Sequence, residues 1–214
     1  MEKRNRRPRS LAPMPESRKW RNVPPQDLFL YARSFHTAAK TLAETPESDS
    51  GSSTGLAAWP VIVMYRHALE LHLKAIVLGE GGHFLATKPD PLTIHKTHSV
   101  SWLAQFVAQI VTALQWEPEF KCAGVENLDD FKATVEEVNS VDPGSYVFRL
   151  PFSAQGQDAA PRSVKLTIRE FARRMDALLE LLDATADALS AEWDRRSGVL
   201  DVEWGDGSVG PTIH

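Results

Sequence analysis

The feature that most constrains the fold is residues 61–79, which read VIVMYRHALELHLKAIVLG. Drawn as a helix, this stretch is apolar in most directions, as expected for a helix surrounded by other helices. On a helical wheel with 100° per residue and Arg66 at zero, Glu70 lies at about 40° and Lys74 at about 80°. His67 lies next to them at about 100°. The i,i+4 spacing allows the Glu70 carboxylate to bridge both cations. We therefore predict a central helix with one polar stripe, made of these four residues.

This polar stripe has two interpretations that the sequence leaves open. It is either a functional surface that faces a cleft or a partner, or a structural ion network along a seam of the helix. His72 is the one other polar side chain of the segment, and it lies on the opposite side among Tyr65, Leu69 and Ile76. We interpret His72 as a core histidine.

The composition is that of a globular protein without a membrane span. Of 214 residues, 43% are hydrophobic and 24% charged, which is ordinary for one soluble domain. The charges within residues 61–79 argue against a transmembrane helix. Cys122 is the only cysteine, so an intrachain disulfide is excluded. Because no apolar segment follows the first basic residues, we expect no signal peptide and a cytoplasmic location.

The charge is distributed unevenly along the chain. Residues 1–21 carry eight Lys or Arg and two Glu, which gives a charge of +6. Because the whole chain has a net charge of −4, residues 22–214 carry −10. Residues 1–22 are also rich in Pro and Ser, which predicts a disordered basic arm. Such an arm either contacts RNA or an acidic partner, or acts as a solubilising tail.

Apolar periodicity predicts an all-α domain over residues 24–197. About five helices are expected, and SYVFRLPF and RSVKLTI predict a small β-hairpin before the long C-terminal helix. Connections are expected at 46–55, a flexible Ser-rich loop, and at 83–97. Residues 198–214 are predicted to be a mobile tail. The predicted helices are 25–44, 61–79, 99–115, 128–139 and a last one from the capping box at 167–170 to about 195, with the hairpin at about 145–168.

No cofactor or metal is predicted. His95 and His98 form an H-x-x-H pair, but no convincing third and fourth ligand accompanies them. The sequence also lacks a phosphate-binding loop and a dinucleotide-binding glycine pattern. Instead, we expect His98 to stand at the start of the next helix, where Thr97 or Ser99 would cap.

Several segments together resemble HEPN-type helical proteins over roughly residues 25–190. They are YRHALELHLKA at 65–75, the His that opens the following helix, YVFRLP at 146–151 and the long closing helix. The resemblance implies an α-helical bundle that often dimerises. Many such proteins are metal-independent ribonucleases of toxin–antitoxin, abortive-infection or CRISPR-associated systems, and others are non-catalytic binding modules.

The resemblance also implies which side chains would act on RNA. The family's catalytic signature is an Arg and a His a few residues apart, and Arg66 and His72 have five residues between them. Cleavage would use the ribose 2′-OH as nucleophile, a His to transfer protons and an Arg to stabilise the phosphorane. The candidate catalytic residues are Arg66, His67, Glu70 and His72, and the candidate RNA phosphate contacts are Lys74, His98 and Arg149.

Two functions follow from this resemblance. The first is a HEPN-like, metal-independent endoribonuclease that acts as an effector of a toxin or phage-defence system. The alternative is a non-catalytic HEPN-like module for dimerisation or partner binding, in which the polar stripe is a buried network. The expected partners are a second copy of the chain, RNA, and an antitoxin or other defence protein, with no membrane.

Overall fold

The computed structural model describes residues 24–44, 58–141 and 168–198. In these ranges it contains no strand, only an isolated β-bridge between Cys122 and Val125. The predicted all-α class is therefore confirmed for the described residues. The helices are α1 (Pro25–Ala43), α2 (Ala58–Leu78), α3 (Pro91–Lys96), α4 (Val100–Leu114), α5 (Leu128–Val141) and α6 (Ile168–Ser197), with a 3-10 helix at Glu80–Phe84.

Helix α2 lies at the centre of the bundle, as residues 61–79 predicted. It packs against α1, α3, α4 and α6, while α5 packs on α4. Leu69 and Leu73 on α2 are fully buried. Burial of one such side chain contributes about 1.5–3 kcal/mol, so the contacts of α2 contribute much of the core.

The ends of α4 follow ordinary capping chemistry. Ser99 precedes the helix, and its side chain accepts a hydrogen bond from the Trp102 backbone N–H at 3.2 Å. Ser99 is thus the capping residue, out of the two that the sequence offered. At the other end, Gln115 adopts a left-handed conformation with φ 59° and closes the last turn.

The predicted loop at 83–97 is wrong in part, because residues 91–96 form the short helix α3. Asp90 caps this helix: its carboxylate accepts from the Thr93 N–H at 3.0 Å and from the Thr93 hydroxyl at 2.9 Å. Pro91 occupies the first helical position, where a missing N–H costs nothing. The sequence predicted a loop because Pro89 and Pro91 lie close together in this segment.

Glycines follow the end of α2, and the packing supplies the reason for them. Gly81 lies in the 3-10 helix at Glu80–Phe84. A Cβ on Gly81 would lie 2.6 Å from the Ile76 carbonyl oxygen, closer than real Cβ contacts allow. The chain therefore turns back over the end of α2 at a distance that only glycine permits.

Several predictions fall outside the described residues. These are the basic arm at 1–22, the loop at 46–55, the hairpin at about 145–168 and most of the tail at 198–214. Of these segments the structure describes only Ile168, which begins α6, and Gly198, which follows it. No helix in the described ranges has the length and apolarity needed to cross a membrane.

Candidate functional site

The charged residues of the polar stripe are buried. Arg66, Glu70 and Lys74 are 1%, 2% and 5% exposed. Arg66 Nη1 donates to Glu70 Oε2 at 3.1 Å, and Lys74 Nζ donates to Glu70 Oε1 at 2.8 Å. The predicted bridging of two cations by one carboxylate is confirmed.

The same residues tie α2 to the segment that joins α3 and α4. Arg66 Nη2 donates to the His98 carbonyl oxygen at 2.6 Å, and Lys74 Nζ donates to the His95 carbonyl oxygen at 3.1 Å. His98 Nδ1 lies 3.0 Å from Glu70 Oε1. We call Arg66, Glu70, Lys74 and His98 the Glu70 network.

The cations around Glu70 keep its carboxylate charged in the interior. Burial by itself raises the pKa of Glu70, but Lys74, then His98 and Arg66, outweigh it and hold the pKa below its ordinary value. An ionised carboxylate in the core therefore depends on its partners. Removing one partner of a buried carboxylate strongly destabilises the fold, because it leaves a buried charge uncompensated. Replacing a whole network by apolar side chains is often neutral.

The fourth residue of the polar stripe, His67, lies apart from this network. Its ring packs edge-on against Phe35 of α1, with ring centroids 4.5 Å apart. His67 is half-buried, on the side of α2 that borders α1. The ring of His67 thus contacts α1, whereas Glu70 contacts the segment before α4.

His72 is a core residue, as predicted, with no exposed surface. Its Nδ1 lies 2.9 Å from the Ala68 carbonyl oxygen, and its Nε2 lies 3.1 Å from Asp183 Oδ1 of α6. Asp183 Oδ2 also accepts from Arg33 Nε of α1 at 2.9 Å. Within one chain, His72 and Arg66 thus belong to different networks.

The hydrogen bonds around Asp183 affect its ionisation. Burial by itself raises the pKa of Asp183, but hydrogen bonds from His72 and Arg33 lower it below the ordinary value. Asp183 therefore remains a carboxylate that joins α1, α2 and α6. This three-helix contact was absent from the sequence interpretation.

A second cluster that the sequence did not reveal surrounds Asp176 of α6. Its Oδ1 accepts from the Tyr65 hydroxyl at 2.8 Å, and His36 Nε2 lies 2.7 Å from the same oxygen. Burial and then Asp176 raise the pKa of Tyr65 above its ordinary value. The residue pairs are 111 and 140 positions apart, so no local spacing could have indicated them.

Of the predicted site residues, the structure brings together Arg66, Glu70, Lys74 and His98, and places His67 and His72 elsewhere. Arg149 lies outside the described ranges. Those ranges contain no group of three or more His, Cys, Asp or Glu side chains suited to holding a metal ion.

No protein-family model matches the sequence, and no curated protein or solved structure matches it.

Proposed function

We propose that this chain is a non-catalytic, HEPN-like helical module that forms a homodimer through the outer face of α1. The observation that carries the proposal is the composition of that face. Among the described residues, all three large hydrophobic side chains that are exposed lie on α1: Leu30 at 62%, Tyr31 at 58% and Leu42 at 36%. We call the surface between Leu30 and Leu42 the α1 face.

The α1 face carries no charge. Its members span an arc of about 140° on the helix. They are Leu30, Tyr31, Ser34, Thr37, Ala38, Thr41 and Leu42. Removing this surface from water therefore requires no ion to be desolvated, and the apolar area lost from water favours association.

The Ser and Thr hydroxyl groups on the α1 face already donate hydrogen bonds within the helix. Ser34 Oγ donates to the Leu30 carbonyl oxygen at 2.8 Å, Thr37 Oγ1 to that of Arg33 at 2.9 Å, and Thr41 Oγ1 to that of Thr37 at 2.9 Å. A protein contact on this face would thus leave none of these Ser and Thr hydroxyl donors unsatisfied. Because their donors are used within the helix, Ser34, Thr37 and Thr41 present little unsatisfied polarity to a partner.

A second copy of the chain fits this face better than a charged partner does. In a two-fold dimer the same surface meets itself, so any charge on it would face a like charge. The α1 face has none, and the cations Arg33 and Lys40 lie at its border. Dimer formation is also what the HEPN resemblance implies.

The Glu70 network supports the non-catalytic part of the proposal. Arg66 and Lys74 are the cations expected to contact RNA phosphates, yet they are 1% and 5% exposed. Both donate to Glu70 and to backbone carbonyl oxygens. Their role in this proposal is to fix the register of α2 against the segment before α4.

The homodimer proposal predicts the effect of Tyr31→Glu. Sedimentation equilibrium of the wild type is expected to give twice the chain mass of 23.8 kDa. Tyr31→Glu is expected to weaken dimerisation about 100-fold, because two buried like charges would cost several kcal/mol. Gln105→Glu, an equally charged change on the exposed side of α4, should leave the dimer intact. A monomeric wild type, or equal loss in both variants, would contradict the proposal.

A second candidate function is the HEPN-like ribonuclease, and one contact favours it. The His98 side chain is 37% exposed, and Glu70 Oε1 lies 3.0 Å from its Nδ1. A carboxylate that orients an exposed imidazole is a common arrangement for proton transfer. In this candidate the 2′-oxygen attacks the adjacent phosphorus while its hydroxyl proton passes to water. The bond from phosphorus to the 5′-oxygen breaks, and His98 donates a proton to that leaving oxygen.

The ribonuclease candidate predicts RNA cleavage in the presence of EDTA. Loss of a general acid typically costs 10²–10⁴-fold in rate, so His98→Ala should reduce cleavage by about that factor. His83→Ala, which removes another exposed histidine, should retain full cleavage. RNA that stays intact with the wild-type protein, or cleavage that His98→Ala leaves unchanged, would rule this candidate out.

A further inference from the structure

We infer a binding site for a small phosphorylated hydroxy compound in the cavity between α1, α2 and α6. This site is separate from the α1 face and does not depend on the proposed dimer. The cavity has a volume of about 420 Å³, within the range of small-molecule sites. Its polar lining consists of Lys40, Glu44, Tyr65, Arg169, Arg173 and Asp176.

The inner wall of the cavity is rigid and polar. The Tyr65 side chain is fully buried and donates its hydroxyl to Asp176 Oδ1 at 2.8 Å. His36 Nε2 lies 2.7 Å from the same oxygen, so Asp176 is held from two sides. Both contacts use Oδ1, and the Asp176 side chain keeps 20% exposure. Its Oδ2 is therefore the acceptor for a ligand hydroxyl.

The outer wall is cationic. Lys40 of α1 and Arg169 and Arg173 of α6 are all exposed, whereas the chain as a whole has a net charge of −4. With the carboxylates of Glu44 and Asp176, the residues that line the cavity carry an excess of one positive charge before the exposed pair of Arg173 with Glu170 is counted. Guanidinium groups bind phosphate oxygens in paired hydrogen bonds, so a phosphate suits this wall.

Arg173 can turn toward such a phosphate at little cost. At present it donates to Glu170 at 2.7 and 3.1 Å, and both partners are more than half exposed. Exposed ion pairs of this kind contribute little to stability. The ligand class that uses both walls carries a phosphate at one end and a hydroxyl at the other.

Calorimetric titration of the full chain with ribose 5-phosphate tests this site, with inorganic phosphate and ribose as partial probes. Saturable binding is expected for ribose 5-phosphate, at least 10-fold weaker binding for inorganic phosphate, and none for ribose. The double variant Lys40→Gln, Arg169→Gln should weaken ribose 5-phosphate binding at least 10-fold. Both changed residues are exposed, and an unchanged thermal midpoint would exclude misfolding as the cause.

The matched control is Arg195→Gln, which removes an exposed guanidinium near the other end of α6. Its affinity for ribose 5-phosphate should equal that of the wild type. The site would be rejected by two results: no saturable heat at millimolar ribose 5-phosphate, or equal weakening in Arg195→Gln and the double variant.

Discussion

Replacing Glu70 by Gln is expected to lower the free energy of unfolding by about 3–5 kcal/mol, the usual cost of removing one partner from a buried ion network. The reason is that Arg66 and Lys74 would remain charged at 1% and 5% exposure without their shared carboxylate. Urea unfolding followed by circular dichroism measures the change. As a control, Glu170→Gln removes a carboxylate whose pair with Arg173 is exposed, and it should leave the unfolding midpoint unchanged.

A triple variant separates the loss of charge balance from the loss of packing. Arg66→Leu, Glu70→Leu and Lys74→Leu together remove all the charges of the helix at once. Such replacements of buried ion networks are often neutral or stabilising. We therefore expect the triple variant to be more stable than Glu70→Gln alone. If Glu70→Gln unfolds at the wild-type midpoint, the network is not buried in solution as the structure has it.

The effect of Glu70→Gln also has a defined pH dependence. The folded-state pKa of Glu70 lies below its ordinary value of about 4.3, so its stabilising contribution is fully present above that pH. This contribution is lost as the pH falls through the lowered folded-state pKa. The difference in unfolding free energy between wild type and Glu70→Gln should therefore shrink in acid, as the pH falls below about 4.3.

Leu73→Ala is expected to lower the free energy of unfolding by about 2–5 kcal/mol. Leu73 is fully buried on α2, the helix that contacts most other elements, so the cavity would lie where several helices meet. Leu71→Ala on the same helix is the matched control, because Leu71 is only partly buried. Leu71→Ala should lower the free energy of unfolding by less than half as much as Leu73→Ala. If both variants lowered the free energy of unfolding equally in urea, the claim that Leu73 is more deeply buried than Leu71 would be wrong.

The helices themselves were largely predictable, because apolar periodicity and capping residues act within a few positions along the chain. The predicted limits of α2 and α4 differ from the observed ones by three residues or fewer. The short helix α3 was missed, because six residues are too few to show an apolar period and the helix start is set by the side chain of Asp90. The predicted hairpin at about 145–168 stays a prediction.

Most of the site that the sequence predicted follows from the geometry of one helix. Contacts between helices depend on how distant segments pack, and here they reassigned the histidines. The His67 ring contacts Phe35 of α1, and the His72 ring contacts Asp183 of α6. His98, a candidate RNA phosphate contact from the HEPN resemblance, contacts Glu70 from another segment.

The sequence by itself determined that Glu70 bridges Arg66 and Lys74, because the i,i+4 geometry of an α-helix places these side chains side by side whatever surrounds them. Only the tertiary structure decided that this bridge is buried. The segment before α4 covers it and supplies carbonyl oxygens to both cations. A helical wheel locates a polar stripe from the sequence of one helix. Whether water, a ligand or another segment covers that stripe depends on residues far away in the chain.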